Sequence, residues 1–126
     1  MPGGMNSSSE SVAQSGATEV DGETTTLSSD YTTSNTDESA ILVENGGNAT
    51  INGTTVTKSG GDSSNTENSE LYGVNAGILV TKNSTATIKN ATISTNAKGS
   101  NAVFSTGEDS KITISNSTIT TTGSSS

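Results

Sequence analysis

Residues 75–94 read NAGILVTKNSTATIKNATIS, and this stretch decides the fold. Its apolar residues alternate: Ile78 and Val80, then Ala86 and Ile88, then Ile93. A period of two marks half-buried strands, here three short ones separated by polar breaks. Thr, Val and Ile suit such strands, and no segment carries a helical period. Two further stretches superpose on it without gaps, ESAILVENGGNATINGTTVT at residues 38–57 and NAVFSTGEDSKITISNSTIT at residues 101–120. The starts lie 37 residues apart (Glu38 to Asn75) and then 26 apart (Asn75 to Asn101). The difference is an insertion within residues 58–74, KSGGDSSNTENSELYGV. A fainter copy precedes all three. Tyr31 stands nine residues before Ala40, as Ile93 stands before Ala102, and Leu27 falls one residue short of the place of Ile51. Residues 27–33 therefore read as the tail of a partial coil.

The breaks also repeat. Gly53, Asn90 and Asn116 occupy one aligned position between the second and third strands. Gly, and after it Asn, tolerates the left-handed backbone that a sharp corner needs. Three short strands per copy with corners between them describe the coil of a parallel β-helix, in which each strand pairs with its equivalent one coil away, about 4.8 Å along the axis. The inward columns are then Ile41/Ile78/Phe104, Ala49/Ala86/Ile112, Ile51/Ile88/Ile114 and Val56/Ile93/Ile119. The expectation is an all-β chain, a short right-handed parallel β-helix (β-solenoid) of about three and a half coils. It spans residues 24–122 with an insertion loop at 58–74. A mobile or partly capping segment 1–23 precedes it and a tail 123–126 follows. So short a stack leaves strand edges open, as in a fragment of a longer one, and its expected neighbours are further β-helix coils or a cap.

Composition agrees once it is placed on the coils. Of 126 residues, 46 are Ser or Thr and only 26% are hydrophobic. A globular domain is about 45–50% apolar, so a conventional two-layer core is excluded, whereas a core one or two side chains wide needs far fewer apolar residues. With no Cys there is no disulfide framework and no thiolate metal site, and with no His no imidazole base. The net charge is −8 and all five cations are Lys, which makes a nucleic acid an unfavourable partner. No apolar run is long enough to span a bilayer.

The aligned blocks, together with LYGVNAGILV and GSNAVFSTGEDS, resemble right-handed parallel β-helix proteins of the pectin-lyase-like type. More narrowly, they are similar to adhesin-like surface proteins of bacteria and archaea. The resemblance covers about residues 27–122. It implies an extracellular or cell-surface location and a polysaccharide or cell-surface glycan as partner. It transfers no catalytic residue. Pectate lyases of this fold use an Arg base with calcium, and this chain has no Arg. Polygalacturonases of this fold use Asp residues clustered on adjacent coils, and the repeat stacks no carboxylates. The expected function is a non-catalytic module for adhesion or polysaccharide binding. The alternatives are an ice-binding solenoid and the non-catalytic part of a pectate-lyase-like polysaccharide-degrading enzyme.

Two groups of residues are candidate sites. The first is a hydroxyl lattice: Thr50, Thr87 and Thr113 share one outward column, Thr55, Thr92 and Thr118 a second, and Thr57, Ser94 and Thr120 a third. On a strand face these hydroxyls repeat about 6.7 Å along the strand and about 4.8 Å between coils. Such a lattice suits a polysaccharide, with Tyr72 as an aromatic contact. It also resembles the ice-binding face of β-solenoid antifreeze proteins, although Ser94 breaks the threonine array. The second group lies in the insertion. Asp62, Asn65, Glu67 and Glu70 place four oxygen side chains in nine residues, which suits calcium by residue type but matches no known loop spacing. No other cofactor is expected. Leu42 and Leu79 fall at outward positions, where apolar residues need cover. The expectation is that Leu71 and Tyr72 fold the insertion back over them.

Overall fold

The computed structural model describes residues 14–124. Twelve strands and one short helix follow in order: β1 Ser15–Asp21, β2 Thr24–Leu27, β3 Asp30–Thr33, β4 Glu38–Glu44, β5 Asn48–Asn52, β6 Thr55–Lys58, α1 Thr66–Tyr72, β7 Ile78–Thr81, β8 Thr85–Lys89, β9 Thr92–Thr95, β10 Val103–Thr106, β11 Lys111–Ser115 and β12 Thr118–Thr121. They form three parallel four-stranded sheets, ordered β1-β4-β7-β10, β2-β5-β8-β11 and β3-β6-β9-β12. Each strand pairs with its equivalent in the next copy, so the chain is a short parallel β-helix. We refer to the three sheets as A, B and C, and to each successive trio of strands as a rung.

There are four complete rungs where the sequence suggests three and a half. Rung one begins at Ser15, inside the segment assigned above to a mobile or capping region; residues 1–13 of that segment and 125–126 of the tail lie outside the described residues. The first rung is hard to see because β1, SGATEVD, carries one large aliphatic residue, Val20. Val20 is buried and pairs with Val43.

Three of the four expected inward columns are correct. Ala49/Ala86/Ile112, Ile51/Ile88/Ile114 and Val56/Ile93/Ile119 are all in register, extended at rung one by Thr25, Leu27 and Tyr31. The fourth is wrong by one residue. Ile78 pairs with Val103, and Phe104 pairs with Leu79. The cause is the corner between sheets A and B. It holds three residues in rungs two and three but four in rung four, where Gly107 and Asp109 take positive φ of 89° and 58°. Val103 is thus the inward residue, packed against the main core, and Phe104 joins the outward column Leu42/Leu79. Between sheets B and C every corner holds two residues. There Gly53, Asn90 and Asn116 have φ of 69°, 52° and 50°, as their residue types require.

The core runs as a narrow column inside the three sheets and ends differently at its two ends. At rung one, Leu27 is 7% exposed, and Tyr31, partly buried, packs against the core. At rung four, Ile114 and Ile119 are 37% and 42% exposed.

The insertion contains α1, which the period-based reading misses. Seven residues cannot display a clear helical period, but the caps are present. Asn65 accepts from the backbone N–H groups of Glu67 (3.0 Å) and Asn68 (3.3 Å), and Gly73 ends the helix with φ 71° while donating its N–H to the Ser69 carbonyl. Leu42 and Leu79 are fully buried in a satellite cluster with Ala76, as the sequence requires. Their cover is not the expected one. Phe104 packs on them, and the Gly73 turn sits against Phe104 and Leu79, whereas Leu71 points to solvent at 58% exposure and Tyr72 is half-buried. A Cβ on Gly73 would lie 2.8 Å from Leu79 Cδ1 and closer still to Phe104. Gly73→Ala is therefore expected to destabilise the chain by about 2 kcal/mol, from left-handed strain plus overlap, readable as a lower urea midpoint.

Candidate functional site

The hydroxyl columns are present, and two of the three are one rung longer than the sequence reading allows. On sheet B the column is Thr26/Thr50/Thr87/Thr113. On sheet C the outer pair of columns is Asp30/Thr55/Thr92/Thr118 and Thr32/Thr57/Ser94/Thr120. Rung one thus adds Thr26, Asp30 and Thr32. The signal for them was Leu27 and Tyr31, whose inward phase fixes their neighbours as outward. Thr55, Thr92 and Thr118 are exposed, while Thr50, Thr87, Thr57 and Ser94 are half-buried among neighbouring rungs.

Sheet C is not a plain flat face. Along its edge lies an open cleft of about 230 Å³, lined by Thr57, Ser94, Asn96, Thr120 and Thr122 and by Ser59 at its side. Across Ser59 a second cleft of about 320 Å³ is lined by Thr32, Thr33, Ser34, Asn35 and Glu38. Nearly all of the lining side chains are hydroxyls or amides. Asn96 also holds the corner between the clefts, its Oδ1 accepting from the Gly60 N–H at 2.8 Å. Tyr72 lines neither cleft, so the structure does not bring it to the threonine columns.

Beneath the clefts is a buried lysine that the sequence reading overlooks. Lys58 is 0% exposed and forms an inward column with Thr33, Thr95 and Thr121. It lies two residues after Val56, and a strict period of two would have found it. Its Nζ donates to the Asn35 carbonyl oxygen, which also accepts from the Glu38 N–H. Burial lowers the Lys58 pKa below the ordinary lysine value, against the opposing pull of Glu38, Asp37 and Asp62. Glu38 is itself held in place. Its Oε1 accepts from the Thr33 hydroxyl and from Asn35 Nδ2 at 3.0 Å.

The four oxygen donors of the insertion are not assembled for calcium. Among the described residues, no group of three or more carboxylates is arranged to hold a metal ion. Asp62 accepts from the Lys98 N–H at 2.9 Å, Asn65 caps α1, and Glu67 and Glu70 are exposed. Asp62 and Asn65 thus serve the fold of the insertion, which is stitched to its neighbours on both sides. Towards the start of the chain, Asp37 accepts from the Ser64 N–H (2.9 Å) and hydroxyl (2.5 Å). Towards its end, Ser63 N–H donates to the Lys98 carbonyl (2.8 Å) and Asn101 Nδ2 to the Ser69 carbonyl (3.2 Å). Compared with known protein families, with curated proteins and with solved structures, the chain finds no match.

Proposed function

We propose that this chain is a non-catalytic surface module that binds a polysaccharide or cell-surface glycan along sheet C. The observation that supports this reading is the run of Thr57, Ser94 and Thr120 hydroxyls at the repeat of the rungs, opening into hydroxyl- and amide-lined clefts beside them. A glycan is recognised by many modest hydrogen bonds, and a rigid ladder supplies them with little ordering cost. With a net charge of −8, neutral sugars are favoured over polyanionic ones. Extracellular or surface display follows from the same reading.

Binding of the purified protein to an array of neutral polysaccharides is the direct test. Replacing Thr57 and Thr120 by Val and Ser94 by Ala adds no bulk but removes three hydroxyls from one column. It is expected to weaken binding at least about tenfold, readable by calorimetry, at roughly one modest hydrogen bond per hydroxyl. No binding of the parent protein to any polysaccharide or cell surface would overturn the proposal. The paired columns of sheet C also support a second reading, ice binding. Ice needs a flat lattice, and the clefts and Asp30 interrupt this one. Thermal hysteresis with ice shaping would establish that reading, and its absence would remove it.

A further inference from the structure

We propose that the two clefts of sheet C form one groove along the axis of the stack, and that its ligand is an extended β-1,4-linked neutral glycan laid one sugar to a rung. The proposal rests on the glycan reading above and specifies the linkage. The hydrogen-bond ladder of sheet C runs one residue past its strands. The N–H groups of Ser59, Asn96 and Thr122 donate to the carbonyls of Thr33, Lys58 and Thr95 at 3.1, 3.0 and 3.0 Å. The evenly spaced bonds of a parallel pair carry the register forward, so Ser34, Ser59, Asn96 and Thr122 form a further column. It lies two residues on from Thr32/Thr57/Ser94/Thr120 and therefore faces the same way. Ser34, Ser59 and Asn96 are exposed.

These two columns are the walls of both clefts. One cleft is lined by Thr32, Ser34 and Ser59, the other by Thr57, Ser59, Ser94 and Asn96. Each crosses from rung to rung and they share Ser59, so the groove runs across the strands, not along them. Thr33, Lys58 and Thr95, all buried, underlie it. The walls stand two residues apart, about 6.7 Å, and each repeats about every 4.8 Å along the axis.

This geometry selects the linkage. An extended β-1,4-linked hexose chain advances roughly 5 Å per sugar, so its rings keep step with rungs about 4.8 Å apart. Each ring is turned by half a turn from the last, which presents opposite ring edges to one wall in alternation. Hydroxyl and amide side chains accept either edge, because each both donates and accepts. Among the described residues no aromatic side chain lines the groove, so ring edges and not ring faces are held. Chains linked α-1,4 or β-1,3 coil, and leave a straight wall after a few sugars. An acidic glycan is disfavoured as well. Glu38 lines the groove, while the buried Lys58 directs its ammonium to the Asn35 carbonyl and offers no exposed cation there.

Cellotetraose and β-1,4-mannotetraose are the extended probes, and maltotetraose (α-1,4) and laminaritetraose (β-1,3) the coiled ones. Calorimetry on the full chain should show at least one extended probe binding about tenfold or more tightly than either coiled one, with affinity rising from its disaccharide to its tetrasaccharide as rungs are engaged. Ser34→Ala combined with Ser59→Ala, at exposed positions, should leave the circular dichroism unchanged and weaken that probe about tenfold, from two modest hydrogen bonds. Coiled probes bound as tightly as extended ones, binding confined to glycans of other linkage, or full affinity in the double variant would overturn this proposal and leave the glycan reading standing. No binding to any glycan would overturn both.

Discussion

Ile88→Ala is expected to lower the unfolding free energy by about 3–4 kcal/mol, and Ile114→Ala in the same column by about 1 kcal/mol. Both are isoleucines on sheet B in direct register. They differ only in what lies on either side. Ile88 is fully buried between rungs two and four, so its truncation leaves a cavity walled by Ile51, Ile114 and the facing sheets. The rungs are hydrogen-bonded above and below it and cannot collapse into the gap. Ile114 has a neighbour on one side and solvent on the other, so the lost side chain was already partly hydrated. Domains of this size have unfolding free energies of about 5–15 kcal/mol, so the interior change removes a large share of the total. Urea denaturation of both variants in dilute solution is the measurement. Equal losses would mean that the stack does not unfold as one unit and that its end rung is as firmly packed as its middle.

The second large effect is expected at Lys58. Lys58→Met should raise stability near neutral pH by about 1–2 kcal/mol, because a buried charge is exchanged for an apolar side chain of similar length. No partner is stranded. The Asn35 carbonyl retains the Glu38 N–H, and Glu38 retains Thr33 and Asn35. The pH dependence carries the sign. Burial makes the folded-state Lys58 pKa lower than the unfolded one, so between that lowered value and about 10.4 the unfolded chain binds more protons. The parent protein should therefore gain stability as pH rises through that window, and below it the full penalty of the buried ammonium is present. Lys58→Met should lack the gain. Denaturation midpoints at several pH values up to 10 test this. A parent that loses stability over that range relative to the Met variant would show that Lys58 is instead held by its acidic neighbours.

Much of this was legible in the sequence because sheets B and C are joined by connections of constant length in rungs two to four. Val56 follows Ile51, Ile93 follows Ile88 and Ile119 follows Ile114 by five residues, so ungapped superposition carries both columns across without error, and only rung one, from Leu27 to Tyr31, is one residue shorter. Sheet A is joined to B by a corner that grows from two residues to four along the stack, and the fourth residue moved Phe104 to the outer face. Alternation alone cannot detect this in VFST, where Val103 and Phe104 are adjacent and each suits either side. The threonine columns were legible for the same reason as the core, since a residue between two inward ones must face outward. The clefts were not, because they depend on where the corner from sheet C to sheet A runs. Lys58 was missed because its charge argued against a place that its phase assigned. The helix α1 was signalled only by Asn65 and Gly73 at its two ends, not by any period.

The hydrogen bonds from residues 63 and 64 to Lys98 and Asp37 give the stack a property that its sheets lack. A plain solenoid peels one coil at a time under tension, each coil held only by the next. Here one loop clasps the turn before it and the turn after it, so a pull along the axis is shared between three turns. If the chain is displayed at a surface, as proposed above, and bound to something that moves in flow, the clasp would set the force at which the stack begins to peel.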